Sequence, residues 1–230
     1  MPSPTASELE EIFFKEFAGS LGEEGKKYVT EVAEAVADGW ETWQKGLKFG
    51  GLTVNGAGLG AWSGTGSGGS MTENSPFELP DMDSEKKSEE QEIFVQAFRE
   101  VLEEVFTKWV DSFSFSSVAF VGTSTASALS PGIADAVVTP SVPLSSAGSG
   151  SNPASISDDW ASKLTKPKFD IDNPQAKTKD MTDAAGAMIE KGFEDVWLLN
   201  ALASANSFQA PAAAGAGTAT GSSKNDGKIV

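Results

Sequence analysis

The chain has 230 residues, 39% of them hydrophobic and 24 of them Gly, with neither Cys nor His. Those two absences exclude disulfide frameworks, Cys/His zinc sites, Cys nucleophiles and Ser-His-Asp arrangements together. A formal net charge of -16 supplies no Lys/Arg excess to neutralise phosphates, so proteins or cations are the expected partners, not nucleic acid or anionic lipid.

The opening Met-Pro-Ser-Pro, followed by Glu8, Glu10 and Glu11, lacks the basic and apolar regions of a signal peptide, and no apolar run approaches the length of a membrane span. The expectation is a soluble protein made in a cytoplasm. Helical periodicity starts over residues 7–18, with Leu9, Ile12, Phe13 and Phe17 on one face and a capping-box spacing from Ser7 to Glu10. Gly19 and Gly22 interrupt it. Ser20 and Glu23 offer a second box for a longer helix ending near Lys48, after which a strand-like stretch over 47–54 leads into Gly- and Ser-rich chain. Beyond Pro76 and Pro80, a third helix is predicted from Ser84 or Ser88 to about Phe113, Ser88 and Gln91 having capping-box spacing. A second strand-like stretch follows over 113–121, with Phe113, Phe115, Val118 and Phe120 as its apolar residues. A short helix over 158–164, a turn at Asp170-Ile171-Asp172-Asn173-Pro174 and a fourth helix over 182–203 complete the reading.

Three helices carry apolar seams of similar spacing. Val32, Val36, Trp40, Trp43 and Leu47 advance by four, four, three and four residues, and Phe98, Leu102, Phe106, Trp109 and Phe113 by the same steps. Ala185, Ile189, Phe193 and Val196 follow suit, with Leu199 one residue off. Uncharged chain follows each seam: nothing charged lies between Lys48 and Glu73, only Asp135 between Ser112 and Ser157, and nothing between Val196 and Ser223. These stretches read either as flexible linkers or as arms that order against neighbouring subunits. The fold class expected is mainly α with short β segments, amphipathic helices being followed by extended Gly/Ala/Ser-rich uncharged arms; a diverged threefold internal repeat is one reading of the pattern. The corresponding division is 1–72, 73–157 and 158–230. Removing residues 50–70 should then leave a folded helical protein that assembles poorly.

Candidate sites are few. Asp81, Asp83, Glu85 and Glu92 match positions one, three, five and twelve of an EF-hand loop, but Lys86 stands where the turn requires Gly, and prolines precede Asp81 in place of a helix. Carboxylates at the start of the third helix account for the cluster. The Gly56-Ala57-Gly58-Leu59-Gly60 run lacks the Lys-Ser/Thr and the strand-turn-helix context of a phosphate loop. No catalytic, metal or cofactor site is expected, and the chain is not read as an enzyme. The seam residues Val36, Trp40, Trp43, Leu47, Leu102, Phe106, Trp109, Phe113, Ile189, Phe193 and Trp197 are candidates for core, or for anchors at a subunit interface.

Trp40-Glu-Thr-Trp43 followed by the Gly-rich segment 50–70, together with the ending Lys-Asn-Asp-Gly-Lys-Ile-Val, resembles the minor structural proteins of tailed phages. The resemblance implies an oligomeric component of the head–tail neck, tail or baseplate, contacting its own copies and other virion structural proteins, located in the virion and made in the host cytoplasm. It transfers no functional residue. The alternative is an acidic protein-binding module or assembly chaperone engaging a basic partner.

Overall fold

A computed structural model describes residues 3–82, 88–139, 143–153 and 155–230. The chain divides into two units: Met1–Gln44, Ser75–Trp109 and Asn152–Trp197 form one, and Lys45–Asn74, Val110–Ser151 and Leu198–Val230 form the other. Each of the segments 1–72, 73–157 and 158–230 contributes to both.

The first unit is helical. Its α1 (Ala6–Glu16) is capped by Thr5, whose side chain accepts from Glu8 while the Glu8 carboxylate accepts from the Thr5 backbone, so the capping box lies two residues before the expected one. Then comes α2 (Glu23–Gly46), and α3 (Glu89–Ser112) opens at the expected Ser88, whose hydroxyl accepts from the Gln91 N–H at 3.2 Å. Next are α5 (Ile156–Leu164) and α6 (Pro174–Lys191), the latter capped by the Asn173 side chain in the predicted turn. The chain continues into a π-helical turn (Gly192–Trp197). That turn explains one misassigned seam position. Wider winding carries Trp197, not Val196, onto the buried face, so the buried residues run Ala185, Ile189, Phe193, Trp197 in even steps of four.

Three pairs of seam aromatics meet in the core of this unit: Trp40 and Trp43 from α2, Phe106 and Trp109 from α3, Phe193 and Trp197 from the π turn. Ring centroids lie 4.7 Å apart for Trp43 and Phe106, 5.0 Å for Trp109 and Trp197, and 5.9 Å for Trp40 and Phe193, the separations at which edge-to-face and tilted rings attract. Gln44 accepts the Trp197 indole N–H at 2.8 Å, which satisfies a polar group that burial would otherwise leave unpaired.

The second unit overturns the expected fold class. The chain is 45% helical and 28% strand, with a closed six-stranded antiparallel barrel, and so is not mainly α. Strands β1 (Lys48–Ala57) and β2 (Gly60–Thr72) form one hairpin, β3 (Ser114–Ser124) and β4 (Gly132–Val138) a second. A third consists of β7 (Ser207–Ala212) and β8 (Ala219–Ser222). The order β2-β3-β4-β7-β8-β1 closes through the β1–β2 pairing. The short strands β5 (Gly148–Ser149), β6 (Ala203–Ser204) and β9 (Gly227–Ile229) add to its margins, as do α4 (Leu144–Ala147) and α7 (Leu198–Asn200).

Most of the described part of the uncharged stretches is therefore barrel wall, not extended arm. Their composition follows from the size of the barrel: six strands enclose little space, and Leu52, Trp62, Phe120 and Phe208 fill it. Trp62 stacks on Phe208 with centroids 5.5 Å apart. Glycine makes the room, since a Cβ added at Gly56 or Gly64 would stand 2.4 Å from the Trp62 ring. Outward positions are mostly Ser, Thr, Ala and Val, because a closed wall satisfies its backbone internally and needs no charged edge.

A buried amide ties the barrel together. Asn206, fully buried, donates from Nδ2 to the carbonyls of Phe49 and Lys224 at 3.3 and 2.5 Å and to Asp226 Oδ1 at 3.1 Å. Burial raises the Asp226 carboxyl, but the hydroxyl and N–H of Ser207, with Asn206, outweigh it and hold the group below the usual range.

Candidate functional site

All eleven seam candidates are buried: Val36, Trp40, Trp43, Leu102, Phe106, Trp109, Ile189, Phe193 and Trp197 in the helical unit, Leu47 and Phe113 in the barrel unit. Of the acidic cluster, Asp83 and Glu85 lie outside the described residues; Asp81 accepts from Arg99 Nη2 at 3.1 Å, and Glu92 sits in the first turn of α3. No group of three or more His, Cys, Asp or Glu able to hold a metal occurs among the described residues. No helix among them is long and apolar enough to cross a membrane.

Two features without counterpart in the sequence reading stand out. The first is a pocket of about 660 Å3 within the helical unit, the volume of a ligand site. Its wall is built from Phe13 of α1, Val29 and Val32 of α2, Phe94, Val95 and Phe98 of α3, Trp160 of α5, and Met181, Ala185 and Met188 of α6, with Met82 beside them. The polar lining is sparse: Tyr28, Ser88, Glu90, Gln91, Thr178 and Thr182. Gln91 Oε1 is buried and accepts no hydrogen bond among the described residues. The Trp160 indole is turned to the Phe94 carbonyl at 3.0 Å, leaving its ring against Phe98 at 4.5 Å.

Nearby in the same unit, Lys163 is 5% exposed and reaches Glu100 Oε2 at 3.3 Å and the Glu104 carboxylate, while Lys168 holds the other oxygen of Glu100. Burial pushes the Glu100 carboxyl up, but the two ammonium groups outweigh it and leave it below its ordinary value. Burial likewise depresses Lys163, and its two carboxylates bring it above its ordinary value.

The second feature is one end of the barrel. In an up-and-down arrangement all three hairpin tips fall at the same end, and they touch: Gly215 N donates to the Ser127 carbonyl at 2.8 Å, and a Cβ on Gly217 would lie 1.8 Å from the Gly58 carbonyl oxygen. Leu129 projects from the second tip at 96% exposed and Leu59 from the first at 48%. Val121, Ile133 and Val137 continue the apolar surface outward along β3 and β4, Val121 and Val137 being cross-strand partners. Asp135 is the one charged residue on that hairpin. Exposed leucine at a tip has no local signature, because its exposure depends on the barrel that presents it.

The two units are thus a helical body with an apolar pocket and a small closed barrel with an uncharged apolar tip. No protein-family model, curated protein or solved structure gives a match to the chain.

Proposed function

We propose that the chain is a non-enzymatic structural subunit that self-associates through the barrel tip, as a component of a tailed-phage virion at the neck, tail or baseplate. The observation that carries the assembly reading is Leu129, 96% exposed at the second hairpin tip, with Leu59 exposed at the first, on tips whose residues bear no charge. Copies of net charge -16 repel through most of their surface, and an uncharged apolar end is where they meet without opposing carboxylates. The barrel is closed, so this role needs no disordered arms. The virion placement rests on the chain's resemblance to minor phage structural proteins.

Light scattering on the double variant Leu59→Glu/Leu129→Glu tests the assembly reading. The wild-type chain is expected to form an oligomer that persists at high salt, and the variant, with unchanged circular dichroism, to be monomeric. A wild-type monomer in all salt conditions contradicts it. The rival reading, an acidic binding module or assembly chaperone, is favoured by the net charge and predicts association with a basic partner that weakens sharply with salt.

A further inference from the structure

Charge divides sharply between the two units. The barrel unit holds four Lys, namely Lys45, Lys48, Lys224 and Lys228, and four Asp or Glu, so it is neutral and the whole net charge of -16 falls on the helical unit. Copies of the chain therefore approach each other with least repulsion barrel to barrel. Asp135 stands out among the barrel's charges. It is exposed on the outer face of β4 between Ile133 and Val137, both exposed as well, and its cross-strand partners are the uncharged Thr123 and Gln209. No ion pair reaches it among the described residues. A contact that covers this apolar face takes the carboxylate out of water and needs a cation to meet it. A two-fold contact of the face with itself brings up a second Asp135 in its place.

The barrel carries matching cations elsewhere. Lys48 of β1 and Lys228 of β9 are exposed and directly opposite each other in an antiparallel pair, where like charges repel. Among the described residues no ion pair reaches either of them. Lys45 has an interaction of its own, and Lys224 helps to hold the Asp226 carboxyl below its usual range. In the closed order, β4 and β1 are three strands apart in either direction, so their outer faces look opposite ways. We infer that the β3–β4 face of one copy docks on the β1–β9 face of a second copy, with Asp135 seated between Lys48 and Lys228. The two faces differ and point apart, so the copies join head to tail, an association that runs on into rings or filaments. This rests on the self-association proposed above and adds to the tip the face and the charges that give it direction.

The test is light scattering on the full chain, comparing wild type with Asp135→Lys and with Lys48→Glu/Lys228→Glu. Wild type is expected to be oligomeric. Each variant, with unchanged circular dichroism, should need at least tenfold more protein to associate, because like charges then face each other across the contact. An equimolar mixture of the two variants should associate as wild type does, and so should the chain carrying all three substitutions. Either variant alone carries the test where the other unfolds. Variants that associate as wild type does, or a mixture that stays dissociated, overturn this inference while association through the tip still stands or falls with Leu59→Glu/Leu129→Glu. A wild-type monomer overturns both.

Discussion

Gly64 stands where a Cβ would meet the Trp62 ring at 2.4 Å and the Asn55 carbonyl oxygen at 2.6 Å. Gly64→Ala should cost about 1–3 kcal/mol, the usual penalty of overpacking, read as a lowered urea midpoint. At the Lys163 cluster the linkage has two ends. Glu100, held below its ordinary 4.5, contributes stability that is complete above that value and is lost as pH falls through its folded value. Lys163, raised above its ordinary 10.5, contributes stability that is complete below that value and is lost as pH climbs through its folded one. Lys163→Met should therefore cost about 1.5–3 kcal/mol at pH 7, the worth of hydrogen bonds to charged groups. The gap from wild type should narrow as pH falls below 4.5 toward the folded value of Glu100; a gap independent of pH contradicts the ion-pair explanation. Legibility at this scale followed geometry. Trp40, Trp43, Phe106 and Trp109 announced burial through helical spacing alone, whereas Gly64 could not be told from linker glycine, since its role depends on how the ring of Trp62, two residues earlier on the same strand, lies along the barrel's inner face.

Among the elements, helices were readable because their signals are local. Caps and seams placed α2 and α3 within a few residues, and the departures have local causes: Thr5 caps α1 in place of Ser7, and the π turn replaces Val196 by Trp197. Strands were half-readable. Lys48–Ala57 and Ser114–Ser124 overlap the two strand-like stretches, the second marked by apolar alternation, but β2 (Gly60–Thr72), with glycine at many inward positions, shows none, and β7 has Ala at two of its inward positions. Mistaking wall for arm changes an expected outcome. Deleting residues 50–70 removes most of β1 and β2, so the barrel cannot close through their pairing. The deletion variant should lose its β circular-dichroism signal and aggregate, where an arm would have left a folded chain. A folded, soluble deletion variant with an intact β signal contradicts the closed barrel.

At the level of the whole chain, charge is segregated by sequence position in a way the fold explains. Most carboxylates sit on helices, while hairpins are almost bare of charge, and the tip residues 58–59, 125–131 and 213–218 carry none. That segregation was plain in the sequence; its consequence was not, because which uncharged residues end at a tip is decided by pairings such as Val121 with Val137 and Thr53 with Ser222. The pocket was equally hidden. Its lining comes from α1, α2, α3, α5 and α6, and no spacing within one helix reveals a space that several enclose. The central claim, a closed barrel that docks by its tip, is tested most directly by amide hydrogen exchange at low and high protein concentration. The account predicts strong protection of β1, β2, β3 and β4 at both concentrations, and protection of the tip amides of residues 127–130 that is greater at the higher one. Fast exchange throughout 50–70 and 114–138, or tips indifferent to concentration, would contradict it.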